Sequence, residues 1–313
     1  MRAFLAGSFA VSRGFSWFAA VLAVHVLVPA SALRAQELEA RAYSPSPVGF
    51  NILVVLDTFN TGAIVFDPAG PIDDVTADIN VAALGYVRTL GVAGHSANLG
   101  LVLPYVRGDL DGLLLGEPQS VHRSGWGDTR LRFAMNLYGA PALTAKEFAS
   151  YRQKTIVGAS VVVVTPLGQY DPSKLVNIGT NRWAYKPEIG VSRALGKWIL
   201  EGAVGAWLFT DNTDFYGGRV RSQDPLGSLQ LHAIYTIRPR MWVALSGNFY
   251  TGGRSSINGA KNLDLQENSR VGVTFALPID AWRSFKFNYS RGAISTVGAD
   301  FDSIGVSFQW VWK

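Results

Sequence analysis

Polar side chains at every second position of several short segments are the residues of this chain that could do chemistry. Between Thr129 and Leu137, for example, Arg130 and Arg132 alternate with apolar residues, so both arginines would share one face of a strand. If that face encloses a lumen, such residues could select solutes by charge and size. The alternative is a salt-bridged filling, because a lone buried charge is very costly. The predicted lumen-lining residues are Arg130, Arg132, Asn136, Arg182, Lys186, Glu188, Glu201, His232, Arg270 and Lys286.

Aromatic side chains form a second set that could bind a solute. Trp207, Trp242 and Tyr250 are predicted on the same inward face, where an aromatic solute could stack on them, although packing accounts for them equally well. Most other aromatics lie near the ends of the alternating segments, as in the interfacial girdles of membrane barrels. They are Trp198, Tyr235, Phe287, Tyr289, Trp310 and Trp312.

Nucleophilic, metal and cofactor chemistry has little support in the sequence. The chain has no cysteine, so thiolate nucleophiles and thiolate metal sites are excluded. A lipid hydrolase needs a serine–histidine pair on the lipid-facing wall, but His95 and His122 are predicted in connections and His232 points inward. The G-x-S-x-G and phosphate-loop patterns are absent. The acidic residues of the predicted loops are expected to be solvated rather than to bind calcium. They are Asp73, Asp74, Asp109, Asp111, Asp211 and Asp214. No catalytic residue, cofactor or metal is predicted.

Residues 1–35 have the parts of a secretory signal peptide. Two arginines precede an apolar run from Phe15 to Val28, and cleavage fits after either Ala32 or Ala35. The run is shorter than the roughly 20 residues of a spanning helix, which argues against an uncleaved anchor. Residues 1–35 hold three arginines and no acid, so the +5 charge of the whole chain (28 basic, 23 acidic) becomes +2 when they are removed (25 basic, 23 acidic). Nucleic acid is therefore not an expected partner.

Alternating segments fill the rest of the chain, in which charged residues are scarce. They make up 16% of the sequence, against roughly 25% in soluble domains. The connections alternate between long and mostly short, which is typical of outer-membrane barrels; the exception is 139–153, whose middle (Leu143 to Tyr151) could form a helical turn or two. The fold predicted for residues 48–313 is therefore all-β, a transmembrane antiparallel β-barrel of about 12 strands with both termini on the periplasmic side. Its predicted strands are 48–57, 75–90, 97–107, 127–138, 154–166, 181–194, 197–211, 225–237, 240–252, 267–277, 283–291 and 302–313.

Three local features complete the predicted barrel. A tight turn that pairs Ala194 with Lys197 would place Glu188 opposite Ala203 on the inward face. Pro104 and Pro187 fall inside predicted strands, where a missing N–H predicts bulges or shifted strand ends. Residues 36–47 are polar and contain two prolines, and they are predicted to form a short periplasmic or lumenal N-terminal segment.

Five motifs resemble those of one family of outer-membrane proteins. They are Gly125–Arg132 (GWGDTRLR), Asn136–Ala142 (NLYGAPA), Pro166–Pro172 (PLGQYDP), Asn177–Trp183 (NIGTNRW) and Lys186–Gly190 (KPEIG). On these motifs the chain resembles, over roughly residues 45–313, the family named for the MetA pathway of phenol degradation, whose members are often labelled transporters. The resemblance implies an outer-membrane barrel and uptake of phenol-like aromatics. It implies no particular catalytic or binding residue.

The predicted function is passive uptake of small solutes, aromatic or otherwise hydrophobic, through a porin-like barrel in the outer membrane of a Gram-negative envelope. The alternatives are a structural or surface-interaction barrel without transport and, third, an outer-membrane lipid hydrolase. Expected partners are outer-membrane lipid, a small-molecule solute, and the barrel-assembly machinery, which would recognise the C-terminal strand 302–313. The solute, the oligomeric state and whether the lumen is open or plugged are left undecided by the sequence.

Overall fold

A computed structural model describes residues 38–65 and 72–313, and these residues form a closed barrel. The predicted signal peptide, residues 1–35, lies outside the described residues. Among the described residues, no helix combines the length and apolar character needed to cross a membrane. The elements in chain order are β1 Asn51–Val65, β2 Ile72–Val92, β3 His95–Leu114, β4 Glu117–Trp126, β5 Arg130–Tyr138, α1 Ala145–Phe148, β6 Thr155–Val164, β7 Ala184–Leu195, β8 Trp198–Phe209, β9 Asn212–Phe215, β10 Arg219–Gln223, β11 Leu226–Arg238, β12 Met241–Gly252, β13 Ser255–Ile257, β14 Ala260–Lys261, β15 Gln266–Pro278, β16 Arg283–Ile294 and β17 Gly298–Trp312.

Twelve of these strands form one antiparallel ring. Neighbours in the ring are neighbours in sequence, in the order β1, β2, β3, β5, β6, β7, β8, β11, β12, β15, β16 and β17. The ring closes because β1 pairs with β17, from Asn51 opposite Trp312 to Val65 opposite Gly298. The predicted twelve-strand barrel is confirmed, and closure leaves no strand edge unpaired in the wall.

The two ends of the barrel differ. One end, here called the turn end, holds the start of β1, the end of β17, the short connections and the longer connection between β5 and β6 that contains α1. The other, the loop end, carries the long connections and a separate four-stranded sheet of β9, β10, β13 and β14. This division keeps both described chain ends on the same side, as an even strand number requires.

Two predicted loops at the loop end are mostly strand. The predicted loop 58–74 contains the paired ends of β1 and β2, and 108–126 contains the end of β3 and the whole of β4. His122, predicted in a loop, therefore lies on β4 with its Nδ1 2.6 Å from Oδ1 of Asp109 on β3. β2 has 21 residues, about twice what a membrane crossing needs. The inner face of this extension keeps buried apolar residues such as Ile64, Val75 and Ile79, but its outer face carries polar residues such as Asp78 and Asp109. The lipid-facing apolar residues on which the strand prediction relied therefore stop before the ribbon ends.

Pro104 lies where β3 changes its partner strand. Residues 97–102 of β3 pair with β5, whereas residues 105–114 pair with β4. The missing N–H of Pro104 falls between these two ladders, and its carbonyl accepts a 2.8 Å hydrogen bond from the N–H of Gly127. The proline therefore costs no ladder hydrogen bond and needs no bulge.

Pro187 interrupts the hydrogen-bond ladder between β7 and β8 without changing its register. It lies opposite Val161 of β6, but towards β8 the pairing skips Lys186 and Pro187 and resumes at Glu188 in the same register. At the turn of this hairpin Leu195, not Ala194, pairs across, with Trp198 as its partner. Glu188 consequently lies opposite Gly205 rather than Ala203. The predicted pairing was wrong by two residues, a shift that leaves every side chain on its predicted face.

Exposed apolar side chains cover the outer wall. Leu245 and Ile304 are 62% and 63% exposed, although both lie within barrel strands. At the turn end the belt is bordered by aromatic pairs such as Trp310–Trp312, with ring centroids 5.3 Å apart, and Trp198–Tyr235, at 5.0 Å. An apolar belt bordered by aromatics matches a hydrocarbon layer and its interfaces, so this barrel is one of the bacterial outer membrane.

Candidate functional site: the barrel lumen

Strand register and burial place the predicted polar residues inside the barrel. Nine of them lie on strands, and Arg182 lies just before β7 at the loop end. Arg270 is set apart, donating to the carbonyl oxygen of Phe301 at 2.6 Å, and Lys286 lies with its Nζ 5.8 Å from the ring centroid of Trp242. Seven of the ten line a single cavity: Arg130, Arg132, Asn136, Lys186, Glu188, Glu201 and His232.

Most of the buried charges in this cavity have specific partners. Nζ of Lys186 lies 2.7 Å from Oε2 of Glu188, and the two side chains are 3% and 7% exposed. Gln230 donates to the same carboxylate at 2.9 Å. Oγ of Ser192, also on β7, donates to Oε1 of Glu201 on β8 at 2.8 Å. Such pairing offsets the desolvation of the charges and links the strands of the wall from β7 to β11.

The three predicted lumenal aromatics are packed into the wall. Trp207, Trp242 and Tyr250 are only 1%, 5% and 1% exposed. The guanidinium of Arg130 and the ammonium of Lys186 lie 6.0 Å and 5.8 Å from the ring centroid of Trp207. The ring face of Trp207 is therefore used by protein groups, and in this arrangement the three buried aromatics leave almost no surface for a solute.

Residues 38–47, here called the N-terminal segment, lie inside the lumen near the turn end. The backbone N–H of Arg41 donates to Oε2 of Glu201 at 2.7 Å, and the hydroxyl of Tyr43 donates to Oε1 of Glu188 at 2.9 Å. The guanidinium of Arg41 also lies 5.6 Å from the ring centroid of Trp242. The segment is thus attached to the charged wall through the carboxylates that the sequence predicted to line the lumen.

Glycines form the seat of this segment. Gly158 of β6 and Gly190 of β7 are opposite each other, and a β-carbon at either position would lie 2.3 Å from an atom of the Tyr43 ring. Gly272 of β15 leaves space for Leu38 in the same way, because a β-carbon at residue 272 would lie 2.6 Å from Cδ1 of Leu38. Because no other residue leaves this space, the wall is shaped to hold the N-terminal segment.

The inner face of β1, β2 and β3 is mostly apolar, in contrast to the charged wall, although it includes uncharged polar residues such as Thr58 and Asn98. Leu56, Ala83 and Pro104 lie side by side across the three strands. This apolar wall runs from the turn end to the loop end and includes Ile52, Leu56, Val81, Val87, Val102 and Val106. Residues 52–56 are a continuous apolar run rather than an alternating one, so a search for alternation did not predict this wall although the run indicates it.

Two cavities lie between the apolar and charged walls. The lower, towards the turn end, has a volume of about 420 Å³, and the upper, towards the loop end, about 380 Å³. Both are lined by Glu39 of the N-terminal segment and by Leu56, Val102 and Arg130. The cavities therefore meet at this level, halfway along the lumen.

The loop between β6 and β7 covers the upper cavity. Oδ1 of Asp128 accepts a hydrogen bond from the N–H of Gly168 at 3.0 Å. Its Oδ2 accepts from the N–H and the hydroxyl of Thr180, at 3.0 Å and 2.6 Å. Ile178 and Thr180 line the cavity below. Three of the motifs noted in the sequence thus act together, because the aspartate of one positions the loop that carries the other two.

Comparison with known proteins shows which family the chain matches and which solved structures have a similar fold. Residues 59–310 match the model of the family described as "Putative MetA-pathway of phenol degradation". No curated protein sequence matches the chain. Among solved structures, the COG4313 outer membrane channel from Pseudomonas putida F1 is similar with a TM-score of 0.74 and 22% identity, covering 88% of this chain and 100% of that one.

Two other solved structures are more distant. The transport unit of the autotransporter AIDA-I from Escherichia coli has a TM-score of 0.49 and 7% identity, covering 90% of this chain and 94% of that one. The CymD monoaromatic hydrocarbon channel has a TM-score of 0.41 and 8% identity, covering 85% and 88%. With TM-scores below 0.5, neither likeness carries an argument about this chain.

Proposed function

The chain belongs to the family described as "Putative MetA-pathway of phenol degradation", and on that premise we propose that it is a passive outer-membrane channel for small aromatic or otherwise apolar solutes. The observation that carries the proposal is the apolar wall on β1–β3, which borders both cavities from one end of the lumen to the other. A lumen built only as a salt-bridged filling has no need of such a surface. The similar Pseudomonas putida protein is described as a channel, in keeping with this role.

The proposed route begins at the loop end. A solute enters the upper cavity beneath the loop that Asp128 holds, passes Arg130, and leaves through the lower cavity at the turn end, which we place in the periplasm. The ten polar residues predicted from sequence would act on this route in two ways. The buried pairs, such as Lys186–Glu188, hold the wall, while the accessible arginines act on the solute.

The N-terminal segment is the proposed constriction. It contributes Glu39, which borders both cavities, and Tyr43, which is 4% exposed in its glycine seat. A solute of aromatic size would pass when the segment shifts away from the charged wall.

A role without catalysis is part of the proposal. The nearest approach to a hydrolase pair is His232, whose Nδ1 lies 2.8 Å from Oγ of Ser246. Both residues are buried on the inner wall, at 7% and 3% exposure, away from the lipid esters that an outer-membrane hydrolase attacks. An esterase assay on the purified barrel should therefore give no rate above that of a His232→Ala variant.

Two partners follow from the outer surface. The exposed apolar belt would contact outer-membrane lipid. We also propose that the barrel-assembly machinery recognises strand 302–313, in which Ile304, Val306 and Trp310 alternate with inward-facing residues.

Planar-bilayer conductance tests the proposal. Discrete current steps are expected from the wild-type protein, and larger ones from a variant that lacks residues 38–46. If neither protein produces steps in a bilayer in which it is correctly inserted, the channel proposal is overturned and the non-transporting structural barrel takes its place. Testing both proteins separates a channel closed by its N-terminal segment from a barrel that has no path.

A further inference from the structure

We infer that the solute favoured by this lumen is a small aromatic carboxylate, and that Arg130 and Arg132 recognise its charged group. The inference rests on the proposed function, since it names the substrate class of the same channel. It begins from accessibility. Arg182, Lys186 and Arg270 are 2%, 2% and 4% exposed, whereas Arg130 and Arg132 are only half-buried and line the lower cavity.

The surroundings of the two arginines join a charged group to an apolar surface. Arg130 lies between Val102 of β3 and Val164 of β6 in the sheet, and it borders both cavities. Two residues along the same strand, Arg132 lies between Gly100 and Val162. A planar guanidinium beside an apolar wall suits a ligand with a ring at one end and a carboxylate at the other, because guanidinium binds carboxylate through two parallel hydrogen bonds.

Arg132 makes weak contacts in the described structure. Its Nη1 lies 3.5 Å from Oδ1 of Asn98, the outer limit of a hydrogen bond, and its guanidinium is 5.8 Å from the ring centroid of Tyr43. A carboxylate in the lower cavity would therefore displace little when it binds there. If the N-terminal segment shifted, Tyr43 would leave with it and open one more face of Arg132.

The balance of charge favours an anion over a cation. Of the acids that line the lower cavity, Glu188 is paired with Lys186, and Glu201 accepts from Ser192 and from the backbone of Arg41. The third, Glu39, is exposed on the N-terminal segment and would move away with it when the segment shifts. Asp128, beside Arg130 in the upper cavity, accepts hydrogen bonds from Gly168 and Thr180 of the covering loop. With the acids of the wall engaged in this way, Arg132 adds positive charge beside the apolar wall, which attracts anions and repels cations of equal size.

Size agrees with this assignment. Cavities of about 420 Å³ and 380 Å³ fall in the range of small-molecule sites, roughly 300–1,000 Å³. They suit one substituted benzene ring at a time, with its plane against Leu56 and Val102 and its carboxylate towards Arg130.

Reversal potentials in planar bilayers test the inference, using benzoate and benzylammonium as probes of equal shape and opposite charge. The wild-type protein is expected to pass benzoate in preference to benzylammonium. Arg130→Gln or Arg132→Gln should reduce that preference about tenfold, because each removes the free energy of about one charge-assisted hydrogen bond to the solute. Arg152→Gln, at an exposed arginine between β5 and β6, is the matched control and should leave the preference unchanged.

The possible outcomes distinguish a failure of the carboxylate preference from a failure of the channel function. Ion conduction with equal permeability to both probes, or a preference that survives Arg130→Gln and Arg132→Gln, would overturn the inference and leave the channel in place. No conduction from either the wild-type or the segment-deleted protein would overturn the channel, and the inference with it.

Discussion

The ring of Tyr43 occupies the space that the β-carbon of any other residue at position 190 would need. A β-carbon at residue 190 would be 2.3 Å from Cε2 of that ring, and Gly158 on the adjacent strand gives the same distance to Cδ1. Tyr43 is also held by its hydrogen bond to Glu188. The N-terminal segment can therefore be displaced by changing a glycine, without altering any charged group of the lumen.

Gly190→Val should enlarge the conducting path. The added side chain forces Tyr43 out of its seat, and the loss of a buried aromatic contact costs about 3 kcal/mol, or roughly a hundredfold in the docking equilibrium. Single-channel recordings should then show larger steps than those of the wild type. Gly247→Val is the matched control, because a β-carbon there meets only a backbone oxygen, at 3.8 Å. Equal conductance in Gly190→Val and Gly247→Val would argue against a seated constriction.

Glu188→Gln should destabilise the barrel strongly. It removes the carboxylate from a buried ammonium, at a cost of about 3–5 kcal/mol in the free energy of unfolding, whereas an exposed pair contributes about 0–1 kcal/mol. The exposed pair Asp171–Lys174, at 3.0 Å, provides the comparison through Asp171→Asn. Denaturant unfolding in lipid vesicles measures both changes. Similar, small losses for the two variants would mean that Lys186–Glu188 is not a brace of the wall.

Leu245→Arg should lower the free energy of unfolding because Leu245 faces the lipid, and not because the side chain is exposed. Leu245 on β12 and Leu263 in the loop before β15 are 62% and 64% exposed, so exposure alone predicts the same tolerance. If Leu245 faces the hydrocarbon layer, an arginine there costs about 2–4 kcal/mol. Leu263→Arg should change the free energy of unfolding in vesicles very little. Equal effects would place the apolar belt outside the membrane.

Asp280 should make the turn between β15 and β16 sensitive to acid. The side chain of Arg283 and the N–H groups of Trp282 and Arg283 lower the pKa of Asp280 to about 2, below its ordinary value near 4. Because the folded pKa is the lower one, the stabilisation is fully present above pH about 4 and is lost as the pH falls towards 2. Unfolding measured over this range should show a steeper loss for the wild type than for Asp280→Asn. Parallel curves would contradict this account.

Much of the barrel could be predicted from the sequence because a membrane wall imposes a two-residue period. Thr129–Leu137 shows this period, and its arginines point inward as it implies. The register of the β7–β8 hairpin was predicted two residues away from the observed Leu195–Trp198 pair, since a pattern of period two cannot distinguish registers that differ by two.

The lumen was harder to predict because its parts are brought together by closure of the ring. Alternation identified charged positions such as Arg130, but it passed over the inner faces of β1–β3, where apolar residues lie on both sides of the sheet. The seat of Tyr43 depends on Gly158 and Gly190, on different strands, and on a segment more than a hundred residues earlier in the chain. Only the pairing of β6 with β7 shows that these residues meet.

The path along the apolar wall is tested most directly by a single introduced cysteine, since the chain has none of its own. Val102 borders both cavities, whereas Leu99, three residues earlier on β3, is 46% exposed on the outer wall. A water-soluble thiol reagent that adds a bulky group should reduce the current through Val102→Cys and leave that through Leu99→Cys unchanged. A Val102→Cys channel that conducts normally after complete modification would contradict the account, because solutes would then not pass between the two walls.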